Sequence, residues 1–288
     1  MKKCYLALLA TTMILALGGI AQAADDVPTV TAKEGAAPTL DGDASDWASI
    51  PATVVKVNPA QEGDTANTTG TIDVELKSVV SGDTIYFLAQ WPDDSKDDTH
   101  KTLIWNKEKE TYDTGDDEED RIAFSFTMEG DYMYCMLAGS DYKADAWQWK
   151  AYRSGSAGLI HDKYHIASST ELPKAKKHAA RNGKEIWLAR PSDAGDELYT
   201  SQRPIDNIGD KVPKYLVNAN ATGSIADVKA KGVWADNKWT VEISRKLDTG
   251  HDDDIKFEKG KTIKSGLAVF NHTGDDHHSI AGWNLAIE

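Results

Sequence analysis

The sequence predicts an all-β fold, an antiparallel β-sandwich with a long, mostly irregular insertion that carries a short helix. Its strongest periodic segments alternate apolar and polar residues and are rich in β-branched and aromatic types, as half-buried strands are. Turn-forming clusters such as Ser81-Gly82-Asp83 and Glu129-Gly130-Asp131 separate these segments. Helical periodicity is scarce, and neither an internal repeat nor a break in composition indicates a second folded domain.

The chain opens with a leader. Residues 1–23 begin with two lysines, continue in an apolar stretch over residues 5–20 and end in Ala21-Gln22-Ala23. This pattern is typical of a secretory signal peptide that is cleaved after its small residues. We therefore expect residues 24–288 to form one exported, periplasmic domain. We expect no membrane span in it, because no later segment approaches the ~20 apolar residues of a spanning helix.

Seven later segments have strand patterning: 71–80, 84–91, 121–128, 132–137, 144–152, 238–245 and 263–271. The predicted short helix covers residues 171–181, within a polar excursion that extends to about residue 213. Because side chains alternate along a strand, a strand over 132–137 would place Cys135 and Met136 on opposite faces. We therefore expect that these two side chains do not reach the same pocket.

Composition excludes several classes of function. The net charge is −14, from 32 Lys and Arg against 46 Asp and Glu, which disfavours contacts with nucleic acid phosphates. Cys4 lies in the leader, so Cys135 is the mature chain's single thiol, and a disulfide or a covalent haem attachment is excluded. The sequence also lacks a Gly-x-Ser-x-Gly elbow, a His-Glu-x-x-His motif and a phosphate-binding glycine loop.

Acidic clusters lie between the predicted strands, at 93–98, 116–120 and 252–254. Their carboxylates are suitable calcium ligands, but none has the Asp-x-Asp-x-Asp-Gly spacing that wraps one ion. We interpret them as solvated loops and leave calcium binding open.

Four stretches stand out together. They are Leu40-Asp41-Gly42-Asp43-Ala44-Ser45-Asp46-Trp47, residues 144–153 (ADAWQWKAYR), residues 239–257 with the Arg-Lys-Leu-x-Thr-Gly run, and residues 267–283. In this order they resemble the ethylbenzene dehydrogenase-type haem-binding family. That family includes haem b subunits of periplasmic molybdenum enzymes of the DMSO reductase class and related exported cytochromes. The resemblance extends over nearly the whole chain after the leader.

The resemblance implies one non-covalent haem b, held in a β-sandwich by a methionine and by a lysine or histidine. Met136 precedes the Trp-x-Trp-Lys motif at the family methionine's spacing. The family's C-terminal Lys-Ser-apolar-x-x-Trp pattern reads His278-Ser279-Ile280-Ala281-Gly282-Trp283 here, so His278 stands where the family has lysine. His277 is the next candidate, and a lysine ligand stays open.

The chemistry of these residues is consistent with that implication. Thioether and imidazole are good axial donors, and two filled axial positions favour electron transfer over chemistry on a substrate. We expect Trp147 and Trp149 to form an aromatic wall beside the haem, and Lys150 and Arg153 to pair with its propionates.

The implied partners are a molybdoenzyme catalytic subunit or, from the acidic charge, a basic soluble cytochrome. The main alternative is a carbohydrate-binding module, supported by nine tryptophans and by the Asp41-Gly42 to Trp47 opening, which sugar-binding sandwiches share. That function requires tryptophans exposed in a groove. A copper site from Cys135, Met136 and the two C-terminal histidines is disfavoured by the predicted strand alternation.

Overall fold

The computed structural model describes residues 27–288, so the predicted signal peptide lies outside the described residues. The first nine strands are β1 Thr29–Glu34, β2 Thr53–Pro59, β3 Ile72–Ser81, β4 Thr84–Pro92, β5 Leu103–Asn106, β6 Thr111–Thr114, β7 Arg121–Gly130, β8 Tyr142–Lys150 and β9 His161–Ser168. The others are β10 Lys176–Ala179, β11 Glu185–Ala189, β12 Tyr199–Ser201, β13 Lys211–Val212, β14 Tyr215–Val217, β15 Lys229–Ala235, β16 Lys238–Lys246, β17 Thr262–Phe270 and β18 Ser279–Ile287. Short 3-10 turns cover Ala44–Trp47, Gly155–Ala157 and Ser224–Ala226.

Two sheets form the sandwich that the sequence predicts. One has the strand order β10-β11-β9-β8-β7-β17-β18, and the other has the order β3-β4-β16-β15. Strands β1 and β2 join the sheets, because each pairs with both β18 and β3. Pairing is antiparallel except at β1, which runs parallel to both of its neighbours. The sheet is therefore mixed at this one strand.

The core lies between the sheets and is rich in aromatic side chains. Phe87 on β4 reaches across to Phe124 on β7 and Trp147 on β8, with ring centroids 6.3 and 5.9 Å apart. Trp283 on β18 is fully buried in the same cluster. Such rings bury large apolar areas and interlock edge to face, which stabilises the packing of the two sheets.

The Asp-Gly-x-x-x-x-Trp opening is attached to the second sheet through one buried carboxylate. Trp47 Nε1 donates to Glu242 Oε1 at 2.8 Å, and the backbone N–H groups of Asp41 and Gly42 donate to Glu242 Oε2. Gly42 has φ +90°, and a Cβ there would collide with Val233. This opening therefore has a structural role that accounts for its residue types.

Two sequence predictions were wrong in detail. Residues 132–137 form turns instead of a strand, and Met133 and Tyr134 have positive φ. Residues 171–181 contain strand β10 instead of a helix, because Asn182-Gly183 turns the chain into an antiparallel β10–β11 pair. Within residues 27–288, no helix is long and apolar enough to cross a membrane.

Candidate functional site

Small side chains form a floor on the outer face of the first sheet. Ser125 on β7 pairs with Ala146 on β8 and with Gly266 on β17, and Ala123 pairs with Ala268. Their strand neighbours point into the core, so alternation sends these five residues outward. A cavity of about 650 Å³ lies on this floor.

The segment between β7 and β8 covers the floor from above. Cys135 and Met136 line the cavity, and Tyr132 and Tyr134 lie against the floor. A Cβ at Gly266 would collide with the Tyr132 ring, and one at Gly282 would collide with the Tyr134 ring. Glycine at both positions therefore lets this segment approach the sheet closely.

His278 reaches the same cavity from the segment before β18. Its Nδ1 lies 2.9 Å from the Asp275 carbonyl oxygen, and its ring stacks on Phe270 with centroids 4.9 Å apart. A carbonyl only accepts hydrogen bonds, so Nδ1 carries the proton and Nε2 keeps its lone pair. Burial lowers the pKa of His278, which favours the neutral imidazole. This is the state in which a histidine binds a metal.

Two further histidines, His165 and His178, line the cavity. Neither was predicted from the sequence as a site residue. His165 Nδ1 is buried and has no hydrogen-bond partner among residues 27–288. Burial, with smaller contributions from Lys163 and Arg190, lowers the pKa of His165 to about 3. An unpartnered, neutral imidazole facing a cavity is a donor available to a ligand. Lys163 and His165 lie two residues apart on β9 and pair with Ala146 and Ala144 on β8. This alternation is the signal that places both side chains on the outer face of the sheet.

Three cationic side chains, Lys163, Arg181 and Arg190, also line the cavity. Arg181 donates to the Ala60 carbonyl oxygen at 2.8 Å. Within residues 27–288, neither Lys163 nor Arg190 takes part in a salt bridge. Burial, and then the charge of Arg190, lowers the pKa of Lys163. An anionic ligand group would relieve this repulsion.

The predicted aromatic wall belongs to the core instead. Trp147 is among the residues around the cavity, but its indole packs against Phe126 and Phe257, with centroids 4.8 and 5.9 Å away. Trp149 packs between Trp91 and Trp239 and does not reach the cavity. Alternation on β8 sends both indoles inward, because the outward positions hold Ala146 and Gln148.

Lys150 and Arg153 also lie away from the cavity. Lys150 Nζ is 2.7 Å from His161 Nδ1 and is buried, which lowers its pKa well below the usual range. Arg153 forms an ion pair with the fully buried Glu119. The structure therefore does not bring these two cations to the place expected for haem propionates.

His277, the second candidate ligand, points elsewhere. Its Nδ1 lies 3.0 Å from Asp64 Oδ2, and it does not line the cavity. Of the residues predicted from sequence, the structure brings together Met136, His278 and Trp147.

The expected separation of Cys135 and Met136 was wrong, since both line the cavity. It rested on a strand, and the turns of this segment remove the alternation. A copper site gains nothing from this. In the described part of the chain, the groups of three or more His, Cys, Asp or Glu donors close enough to share one ion are Asp145-Asp162-Asp254 and Asp227-His251-Asp254, and neither contains Cys135.

The tryptophans do not form an exposed platform. Trp47, Trp91, Trp147, Trp149 and Trp283 are among the largest fully buried side chains, and Trp239 is 2% exposed. Trp105, Trp187 and Trp234 are partly buried. The feature that a sugar-binding groove requires is therefore not found at these positions.

Comparisons with known proteins place the chain in a family. The profile of the ethylbenzene dehydrogenase family matches residues 44–281, and no curated protein matches significantly. A family 9 carbohydrate-binding module from Caldicellulosiruptor kristjanssonii, solved with glucose, is 10% identical, with a TM-score of 0.39 over 90% of this chain and 95% of that chain. A putative carbohydrate-binding protein from Bacteroides uniformis is 10% identical, with a TM-score of 0.44 over 91% of this chain and 100% of that chain.

At such low identities and TM-scores, these two likenesses carry no functional argument. The family match, in contrast, extends over well more than half of the chain and includes all four stretches singled out in the sequence, the first and last of them in part. The protein therefore belongs to the ethylbenzene dehydrogenase family.

Proposed function

We propose that this protein is an exported haem b-binding electron-transfer protein, acting alone or as the small subunit of a periplasmic oxidoreductase complex. One observation carries the proposal: Met136 and His278, from segments far apart in sequence, line the same cavity. The family membership supports it independently.

The shape of the cavity suits a flat, largely apolar ligand. Its volume of about 650 Å³ lies within the range of about 300–1,000 Å³ that is usual for small-molecule and cofactor sites. Its floor consists of alanine, serine and glycine positions on neighbouring strands. Larger residues at these positions would fill the space that a porphyrin needs.

The donor chemistry suits haem iron. Met136 offers a thioether, and His278 offers Nε2 while its Nδ1–H is held by the Asp275 carbonyl. A backbone carbonyl on the other ring nitrogen is a common way to fix the tautomer and orientation of a ligating histidine. His165 supplies a second neutral imidazole in the cavity, so it is the alternative that the experiments must separate from His278.

The cations of the cavity suit haem propionates better than the two residues expected from sequence. Lys163 and Arg190 face the cavity without a salt bridge within residues 27–288, and Arg181 stands beside them. Each can donate charge-assisted hydrogen bonds to a carboxylate. Lys150 and Arg153, in contrast, already have other partners.

Haem b supplies one-electron redox chemistry, and Met/His ligation raises its reduction potential. Met136 and His278 would hold the iron of such a haem, and Lys163, Arg181 and Arg190 would hold its propionates. The acidic net charge of −14 attracts a basic soluble cytochrome, and the family association makes a molybdoenzyme catalytic subunit the alternative partner.

The test is the visible spectrum of the purified protein after haem addition, oxidised and then reduced with dithionite. We expect a low-spin, six-coordinate spectrum, and we expect Met136→Ala to shift it toward high spin. Met133→Ala is the matched control, because Met133 is in the same segment but is 51% exposed. A protein without a Soret band after reconstitution would refute the proposal. Equal spectra of wild type and Met136→Ala would remove Met136 as the ligand.

A further inference from the structure

A second cluster of ionisable groups lies on the core side of β8 and β9, across the sheet from the cavity. It contains four aspartates and one arginine, and none is more than 7% exposed: Asp145, Asp162, Asp193, Asp254 and Arg245. The electron-transfer function proposed above does not use them.

Arg245 compensates only part of this buried charge. Its Nη1 lies 2.6 Å from Asp145 Oδ2 and 3.4 Å from Asp254 Oδ1, and its Nη2 donates to the Ile255 carbonyl. Among the described residues, the one guanidinium of the cluster thus forms ion pairs with two of its four carboxylates. Buried charges without partners are unfavourable, so protons or a cation must balance the remainder.

Several carboxylate oxygens of the cluster have no hydrogen-bond donor in the part of the chain that the structure describes. Asp145 Oδ2 accepts from Arg245 and from the Ile255 N–H, but Oδ1 has no donor. Asp162 Oδ2 and Asp254 Oδ1 also lack donors. Oxygens of Asp145, Asp162 and Asp254 lie within 4.8 Å of one another. Two oxygens bound to the same Ca²⁺ at 2.3–2.6 Å are at most about 5 Å apart, so this spacing suits one ion.

Asp193 provides an observation independent of that trio. It comes from the segment after β11 and is 5% exposed, and no donor from the described residues reaches either of its carboxylate oxygens. Its backbone N–H donates to the Asp162 carbonyl at 3.3 Å, which holds it beside the cluster. Burial, and then the charge of Asp145, raises the pKa of Asp193 to about 8. A carboxylate buried in this way needs a shared proton or a cation to balance its charge.

We propose that Asp145, Asp162 and Asp254 bind one Ca²⁺ ion, and that the charge of the neighbouring Asp193 strengthens this binding. The donors are all oxygens, which suits a hard cation. Carboxylates from separate segments suit the flexible geometry of Ca²⁺ better than the strict octahedron of Mg²⁺. The nearby His251 is bonded through Nδ1 to Asp227 at 2.8 Å, so it stays outside this donor set.

The ion would join β8, β9 and the segment between β16 and β17. Strands β8 and β9 also carry Ala146 and His165 to the cavity on their other face. The site thus fixes the inner side of the strands that form the cavity. The inference does not depend on haem binding.

The test is calcium binding by the full-length protein after EDTA treatment and removal of EDTA. Calorimetry with CaCl2 should show one saturable site, and MgCl2 should bind more weakly. At a Ca²⁺ concentration about 100-fold above the dissociation constant, we expect Tm to rise by about 5 °C. Asp162→Asn and Asp193→Asn should each weaken Ca²⁺ binding at least tenfold. Asp252→Asn, an exposed neighbour in the same acidic segment, should leave it unchanged.

Three results would overturn the site. One is the absence of binding heat and of a Tm shift at about 10 mM Ca²⁺, which exceeds the weakest usual range for protein sites. Another is an equal loss of binding in Asp252→Asn, which would indicate attraction to the acidic surface alone. The third is unchanged Ca²⁺ affinity in Asp193→Asn. The first, combined with a more stable Asp162→Asn protein in EDTA, would mean that shared protons balance the cluster.

Discussion

The two faces of the first sheet use the same strands for opposite purposes. On the inner face, Phe126 and Trp147 fill the space between the sheets. On the outer face, Ser125, Ala146 and Gly266 leave a cavity. The same backbone hydrogen bonds hold the strands together on both faces of the sheet. The size of the side chains therefore determines that the inner face is packed and that the outer face keeps a cavity. Substitutions on the inner face should therefore change stability, and those on the outer face should change ligand binding.

The largest effect should come from Trp147→Ala on the inner face. It leaves a void among Phe87, Phe126 and Phe257, and we expect the free energy of unfolding to fall by about 3–5 kcal/mol. Trp147→Phe is the control, with an expected loss below about 1.5 kcal/mol, because it keeps an aromatic ring and removes an unpartnered Nε1–H. Denaturant unfolding measures both. A loss below about 1 kcal/mol for the alanine variant would contradict the assignment of Trp147 to the core.

Arg153→Ala tests whether Arg153 lies outside the haem-binding cavity. Its ion-pair partner Glu119 is fully buried, so removing Arg153 leaves a buried charge without its main partner and should cost about 3 kcal/mol. Haem affinity should not change. Arg190→Ala is the matched comparison, with the reverse result of weaker haem binding and a stability change below about 0.5 kcal/mol. If Arg153→Ala weakened haem binding and Arg190→Ala did not, the propionate partners would be those expected from sequence.

The aspartate cluster should make stability depend on pH. The pKa of Asp193 in the folded protein is about 8, whereas its ordinary value is 3.8. Between these pH values, the EDTA-treated folded protein therefore binds more protons than the unfolded chain. The stabilisation that comes from this bound proton is complete below about pH 4 and is lost as the pH rises through 8. The free energy of unfolding then changes by up to about 1.4 kcal/mol per pH unit for each proton. The charged groups near Asp193 are Asp145, Asp162, Lys163, Asp253 and Asp254.

Calcium should therefore raise Tm more at pH 8 than at pH 5, because protons compete with the ion. Thermal unfolding at both pH values, with CaCl2 or EDTA, measures this difference. Asp193→Asn should flatten the pH slope in EDTA. An equal calcium-induced shift at both pH values would contradict the link between the ion and these protons.

Ala146→Leu on the outer face should change stability only slightly. The added side chain enters the cavity, so we expect a stability change below about 1 kcal/mol but at least a tenfold loss of haem affinity. Ala144→Leu, two residues earlier on the same face, is packed in a hydrophobic cluster and should instead cost about 1–3 kcal/mol. Haem titration and denaturant unfolding of both variants separate the two outcomes. Unchanged haem affinity in Ala146→Leu would remove the floor from the binding site.

Strands with true apolar–polar alternation could be predicted from sequence, and the structure confirms β3, β4, β7, β8, β16 and β17 close to the predicted bounds. The strand predicted over residues 132–137 was wrong because nearly all of these residues are apolar, so they show no apolar–polar alternation. The flanking Gly130 and Gly139 both adopt positive φ, which is typical of turns. The helix predicted over residues 171–181 was also wrong, and the Asn182-Gly183 pair is the sequence signal for the β10–β11 hairpin found there.

The residues selected by family spacing lie together in the structure, whereas most of those selected by residue type do not. Met136 and His278 reach one cavity. Trp149 and Lys150 were selected as an aromatic and a cation beside a motif, but the inward side of β8 is core, and large residues there serve packing. His165 and Arg190 come from the excursion after β8, and their proximity depends on the pairing of β9 with β8 and β11, which local pattern does not specify.

The most direct test of the central claim is the spin state of reconstituted His278→Ala compared with His277→Ala. Both histidines are adjacent in sequence, but only His278 lines the cavity. We predict that His278→Ala becomes high-spin and regains a low-spin spectrum when imidazole is added, whereas His277→Ala stays low-spin throughout. A low-spin His278→Ala protein would contradict this ligand, and His165→Ala would then identify the alternative. A high-spin His277→Ala protein would contradict the placement of the cavity itself.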